Sequence, residues 1–341
     1  MPKSAYAQAG VDIDRKMAGL AAVKSLVRRT FTRGVLSDIG LFGGCFASPG
    51  RGTVLVASTD GVGTKLKVAA LVGNHRTVGQ DLVNHCVNDI LVQGARPLFF
   101  LDYIGSAVFS PEVFREVVWG LCKACRENGC ALLGGETAEL PGLYPPGEYD
   151  LVGTIVGAVP RRGIIDGRAI RPGDAIIGLA SSGLHTNGYS LARRVLFEQA
   201  GLSCRDPLPG ARRTVGQALL AVHRSYLRPV ARVLAAVPVR GMAHITGGGF
   251  VDNIPRVLPA DCLAVIDRRA WRVPPLFRFI AERGGVDREE MYRVFNMGIG
   301  YVLIVRRRDA PAALNRLRGA AVGAAVIGRI ERGRRGVALV N

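Results

Sequence analysis

Short apolar runs of strand length alternate with amphipathic stretches along most of this chain, and glycine, proline or small polar clusters separate them. Residues 12–33 carry apolar positions at helical spacing, and the glycine-rich "GLFGGCFASPGRG" follows. In "LVASTDGVGTKLKVA" (55–69) a β-branched run breaks at Asp60, passes through two glycines and a threonine, and delivers Lys65 before an amphipathic run resumes. The pattern then predicts a helix in "DLVNHCVNDILVQGA", a strand in "PLFFLDYIG", and a helix in "SPEVFREVVWGLCKACRENG" with Ser110 as N-cap and Pro111 at its first position. "CALLGG" and "YDLVGTIVGAVP" read as strands, and "RRGIIDGRAIRPGD" as a hairpin-like linker. A second series opens with the strand "AIIGLASSG", the polar turn "LHTNGYS", a helix from Ser190 and a long basic helical section, before "GMAHITGGGFVDNIPRVLP". The rhythm is not a strict βαβ alternation. It predicts α+β architecture in two domains, 1–167 and 168–341, each a mixed β-sheet layered with α-helices.

Length agrees with that division, because 341 residues exceed what one core usually serves. No apolar run approaches the roughly 18 residues of a membrane span, and "MPKSAYAQAGVDIDRK" lacks the apolar stretch of a secretory signal, so a cytoplasmic enzyme is expected. The formal charge of +18 raises the question of nucleic acid. Residues 1–170 hold 18 basic against 15 acidic side chains, whereas 171–341 hold 27 against 12. Every basic residue of the second half is arginine and only six lysines occur in all, without aromatic-interleaved basic strands or a recognition helix, so no nucleic-acid partner is expected. Seven cysteines and no export signal indicate reduced thiols. Cys122 and Cys125 have metal-ligand spacing but lack a fourth ligand nearby, and they fit one helix face as small hydrophobes.

Candidate chemistry gathers at strand ends. "TDGVGTK" is neither a Walker A loop nor a dinucleotide fingerprint; it joins a carboxylate, glycines, a hydroxyl and a lysine, a set suited to metal-bound polyphosphate. "VNDILVQGA" puts Asn88 and Asp89 in a largely apolar helical segment, where an ionised carboxylate needs a cation or donor. "LLGGETAELPG" brings Gly135, Glu136 and Thr137 to another strand end. Asp60, Asp89 and Glu136 thus form a candidate Mg²⁺ set, conditional on folding bringing them together. In the second half "SSGLHTNGYS" and "AHITGGGF" mix histidine, hydroxyls and glycines, a palette for phosphate or sugar, with Ser182, His185, Asn187, Thr246, Gly247 and Gly248 as candidate substrate contacts.

The ordered set "AGVDID", "STDGVGTKLKVA", "VGQDLVNHCVNDILVQGARPLFFLDY", "GCALLGGETAELPGLY", "SSGLHTNGYSLARR", "HITGGGFVDNIPRVLP" and "MYRVFNMGIGYVLIV" resembles the phosphoribosylformylglycinamidine cyclo-ligase (AIR synthetase) family over nearly the whole chain. Asn84 and His85 depart from it, standing where the family is usually smaller or apolar, and Thr186 stands where serine is common. The resemblance implies conversion of formylglycinamidine ribonucleotide and ATP to aminoimidazole ribonucleotide, ADP and phosphate, with phosphorylation of the formamide oxygen before the ring closes. It implies Mg²⁺ at Asp60 and Asp89, triphosphate contacts from Gly61, Val62, Gly63, Thr64 and Lys65, and Asn88, Gly135, Glu136 and Thr137 in the same ATP cleft. Asp60, Lys65, Asp89 and His185 are then the catalytic candidates. A homodimer through the first domain is also implied, with the N-terminal segment covering the nucleotide. A small-molecule kinase on the same scaffold is the alternative enzyme class.

Overall fold

In the computed structural model, residues 4–9, 28, 33–38, 42, 44–48 and 52–341 are described. The helix expected over 12–33 lies almost wholly outside them. The first domain contains α1 (Ala5–Gln8), β1 (Gly44–Ala47), β2 (Thr53–Gly61), α2 (Lys65–Val72), α3 (Arg76–Leu91), β3 (Arg96–Ser106), α4 (Pro111–Asn128), β4 (Ala131–Glu139) and β5 (Tyr149–Pro160). Its five strands lie in the order β1-β2-β5-β3-β4, antiparallel except for the β3/β4 pair.

Sequence signals set the ends of α4: the Ser110 hydroxyl accepts from the Val113 N–H, Pro111 occupies the first turn, and Gly129 closes the helix at φ 70°. α3 and α4 cross with their backbones nearly touching. A Cβ on Gly79 would lie 2.3 Å from the Val117 carbonyl oxygen, and one on Gly120 would lie 2.4 Å from that of Arg76, so only glycine permits the approach. The pair packs on one sheet face, burying Val54, Val56, Leu82, Phe100, Leu121 and Ile155.

The second domain follows a connection that is a 3₁₀ turn (Arg161–Gly163) and further turns; the strand pairing expected of a hairpin is absent there. It comprises β6 (Ala175–Ala180), α5 (Tyr189–Arg193), a π-helical turn (Arg194–Gln199), α6 (Val215–Leu219), α7 (Leu227–Leu234), β7 (Val239–His244), α8 (Gly249–Asn253), β8 (Cys262–Asp267), α9 (Pro275–Gly284), α10 (Arg288–Val294), β9 (Ile299–Val305), α11 (Ala310–Arg318), β10 (Ala324–Arg332) and β11 (Gly336–Val340). The six strands run β11-β8-β10-β6-β9-β7, with only β11/β8 parallel. β6 and β9 lie inside this sheet and are almost entirely buried. The long basic helical section expected after Ser190 is instead three short helices, because Gly201, Pro207, Pro209 and Gly210 interrupt it. Both domains are thus α+β as expected, and the seven cysteines are free.

Candidate active site

The polar face of α3 docks into the second domain. Asn88 binds the Arg224 carbonyl at 2.8 Å and the Tyr226 N–H at 2.8 Å; Asn84 binds the His223 carbonyl at 2.7 Å; Asp81 accepts the His223 N–H at 2.6 Å. Four of the chain's five histidines meet at this seam.

Donors and acceptors fix the direction of one hydrogen-bonded chain. His85 Nε2 reaches Asp60 Oδ2 at 2.8 Å and His85 Nδ1 reaches Thr186 Oγ1 at 2.8 Å. Burial opposes charge on His85, but Asp60 first, then Asp89 and Asp81, lift its pKa to about 9, so both ring nitrogens donate. At the far end Asp89 Oδ1 accepts from His244 Nδ1 at 2.8 Å. This leaves His244 Nε2 to accept from His223 Nε2, 3.0 Å away, and His223 Nδ1 to accept from Thr186 Oγ1 at 3.4 Å. Burial pushes the pKa of His185, His223 and His244 down, and repulsion among the imidazoles adds to it. Asp60 is the solvent-facing member, its side chain 42% exposed. Burial would raise its pKa, but His85 outweighs that and holds the carboxyl down to about 2.

Asp60 and Asp89, from β2 and α3, therefore come together, each within 4 Å of His85 Nε2. Glu136 does not join them. Through the register, Gly61 faces Val152, Val152 faces Tyr103 and Tyr103 faces Glu136, so Glu136 lies three strands away, about 14 Å at ordinary strand spacing. Gly135 occupies the row of Asp60, which turns Glu136 to the opposite face; all three of Gly135, Glu136 and Thr137 are exposed.

Lys65 also lies elsewhere than a phosphate contact would require. It is fully buried, with Nζ 2.8 Å from Asp81 Oδ2, 2.8 Å from the Ala221 carbonyl and 3.2 Å from that of His185. Three acceptors already use its three donors. Asn88 is likewise committed to the domain seam. Val62 is buried, whereas Gly63 and Thr64 line a cavity of about 640 Å³ with Lys67, Glu148, Tyr149 and Arg193. Lys67, held by Glu148 at 2.6 Å, is the lysine that faces this space.

The two glycine-rich turns close over the seam. His185 is fully buried at φ +62°, a conformation uncommon for non-glycine residues, with its ring stacked on His223 at 4.0 Å. Ser182 Oγ is engaged by the Val222 carbonyl. Asn187 Nδ2 is buried without a partner, and a Cβ at Gly247 would lie 3.1 Å from Asn187 Oδ1, so the turns touch. Asn253 holds the second turn through the carbonyls of Thr246, Gly247 and Gly249, while Gly248 takes φ 96°. Sequence reasoning passed over Asp81 and His223; His223 stands in "AVHRSY", which carries no motif, and the near-absence of histidine elsewhere was the only available signal.

Two α+β domains thus meet at one seam of carboxylates, histidines and small-residue turns. Residues 41–159 match the AIR synthase related protein N-terminal domain and residues 171–341 the C-terminal domain. The phosphoribosylformylglycinamidine cyclo-ligase of Nitratidesulfovibrio vulgaris (strain DSM 19637 / Miyazaki F) is 53% identical over 333 residues, 97% of this chain and 95% of its own. That of Alkaliphilus metalliredigens (strain QYMF) is 45% identical over 342 residues, 99% of each chain. Among solved structures, thiamine-monophosphate kinase from Stenotrophomonas maltophilia K279a superposes with TM-score 0.64 at 18% identity, covering 92% of this chain and 93% of that one. Hydrogenase maturation protein HypE in complex with ATP gives 0.61 at 21%, covering 97% and 92%; both likenesses concern the fold. The chain belongs to the phosphoribosylformylglycinamidine cyclo-ligase family, and its reaction is the ATP-dependent ring closure of purine biosynthesis. The kinase alternative is thereby set aside.

Proposed function

We propose that the Asp60–Asp89 seam is where formylglycinamidine ribonucleotide and Mg·ATP meet, with ATP entering from the cavity behind Gly63 and Thr64. The observation that carries this is the convergence of the two carboxylates beneath the 182–187 and 246–248 turns. The donor set fits Mg²⁺, a hard cation that takes carboxylate oxygen, since Asp60 reaches solvent and each carboxylate keeps lone pairs beyond its protein hydrogen bonds. Bound there, Mg²⁺ would neutralise charge on the transferring phosphoryl group. The chain's own contribution is positioning: Lys67 and Arg193 face the cavity as its cations, Arg193 with a buried Nε that lacks a partner. Lys65 acts from behind, fixing α2 against α3 and the His185 loop. The decisive assay is ADP release that depends strictly on formylglycinamidine ribonucleotide and yields a diazotisable aminoimidazole; ADP release without it, or a stable phosphoester product, sinks this reading.

Asn187 and Thr246 are the side chains of the two turns best placed to meet the ribonucleotide, whereas the buried His185 supports them through its stack. Asn187→Ala and Thr246→Ala are expected to raise KM for the ribonucleotide roughly tenfold, the worth of one hydrogen bond to an ionised group, with KM for ATP little changed. An effect on ATP alone would reassign these turns to the nucleotide.

The homodimer also belongs to this reading. The sheet face away from α3 and α4 exposes Phe46 and Leu101, 47% and 38% accessible, beside the bulge residues Leu98 and Leu133, 47% and 65% accessible. Apolar side chains spread over one face of the sheet, with Leu98, Leu101 and Leu133 on the adjacent strands β3 and β4, suit a self-complementary interface. Leu133→Asp is expected to shift the mass measured by light scattering from dimer to monomer; an unchanged mass would place any interface elsewhere. Among the described residues no helix is long and apolar enough to cross a membrane, and we infer a cytoplasmic setting from the pathway.

A further inference from the structure

The histidines at the seam exceed what the magnesium site uses. One ring nitrogen of each of His185, His223 and His244 lies within 4.8 Å of the others, and all three side chains are fully buried. His223 Nε2 and His244 Nε2 are 3.0 Å apart. Two imidazoles on one tetrahedral zinc, with Zn–N of about 2.0–2.1 Å, stand about 3.3 Å apart, so the two nitrogens are within a few tenths of an ångström of that separation and an ion between them requires the rings to tilt until both lone pairs meet it. The remaining nitrogen of His244 is held by Asp89, the carboxylate–histidine pairing that orients metal ligands. His185 contributes a buried Nδ1 with no partner.

We propose that His185, His223 and His244 form a binding site for one borderline transition-metal ion, Zn²⁺ being the type, separate from the oxygen-donor site for Mg²⁺. Nitrogen donors select zinc over magnesium. Binding needs the His223 proton to move from Nε2 to Nδ1, where it faces Thr186 Oγ1, and the His185 proton to move from Nδ1 to Nε2, giving up the Ser182 N–H that Nε2 now accepts at 3.3 Å, while that ring turns out of its stack; both protons stay on their rings. All three ligands belong to the second domain, in the turn after β6, the segment before α7 and the end of β7, and Asp89 backs them from the first. A bound ion therefore ties the 182–187 turn to the floor of the catalytic seam.

The test uses the full-length protein freed of metal by a chelator. Zinc titration against a chromophoric competitor is expected to show one equivalent bound per chain in the presence of excess Mg²⁺, and Co²⁺ substitution to give the intense visible absorption of tetrahedral nitrogen ligation. His223→Gln should weaken zinc by at least about tenfold, while His75→Gln, at the one histidine outside the domain seam, leaves it unchanged. Absence of stoichiometric zinc, a weak six-coordinate Co²⁺ spectrum, or equal affinity in His223→Gln overturns the proposal. The cobalt spectrum of the unmutated protein decides the matter even where His223→Gln does not fold.

Discussion

Asp89→Asn is expected to lower turnover by on the order of a hundredfold or more at ordinary Mg²⁺ while the protein stays folded, because a metal ligand that steadies several kcal/mol of developing charge is lost. The fold tolerates this change: an amide can still accept from His244 Nδ1 with its oxygen, and its nitrogen can donate to the Ser58 hydroxyl, now 3.0 Å from Asp89 Oδ2. Asp60→Asn should be equally damaging to turnover and costlier to the fold. Asp60 accepts from the Gly61 N–H at one oxygen and from His85 Nε2 at the other, so an amide must turn its NH₂ toward one of two donors. Steady-state kinetics with a Mg²⁺ titration, beside thermal melts, checks both. Near-normal turnover in Asp89→Asn would make that carboxylate a structural partner of His244 and nothing more.

Lys65→Met is expected to destabilise the protein by about 3–5 kcal/mol, the range for stranding one charge of a buried pair, since Asp81 would remain at 0% exposure without its cation. Burial pushes the Lys65 pKa down and the Asp81 pKa up, and each partner opposes the shift of the other. Removing both charges should recover much of the loss, so the double variant Lys65→Met/Asp81→Leu melts well above Lys65→Met alone. Lys65→Arg fails for a steric reason: a planar fork does not fit a fully buried pocket whose three acceptors surround a compact ammonium. A raised KM for ATP with an unchanged melting temperature would instead return Lys65 to the phosphate.

Lys65 stands in a local motif that suits a phosphate, but which anion it serves depends on a helix that begins eleven residues later. Sequence spacing alone cannot see that. His85 illustrates the same limit from the other direction: its departure from the family pattern is visible in "LVNHCVND", yet its partners Asp60 and Thr186 lie 25 and 101 residues away.

By itself the sequence determined the α+β class, most strand and helix positions and the caps of α4. Each rests on periodicity, turn chemistry or a local motif, which are properties of neighbouring residues. The tertiary structure alone decided that Glu136 faces away from the other two carboxylates, because strand order and the two-residue alternation of a sheet fix which side chains share a face. It also decided that Lys65 and Asn88 hold the domains together, and that four histidines scattered from 85 to 244 meet at one seam. Burial and long-range pairing set those roles, and neither is encoded within any short stretch of the chain.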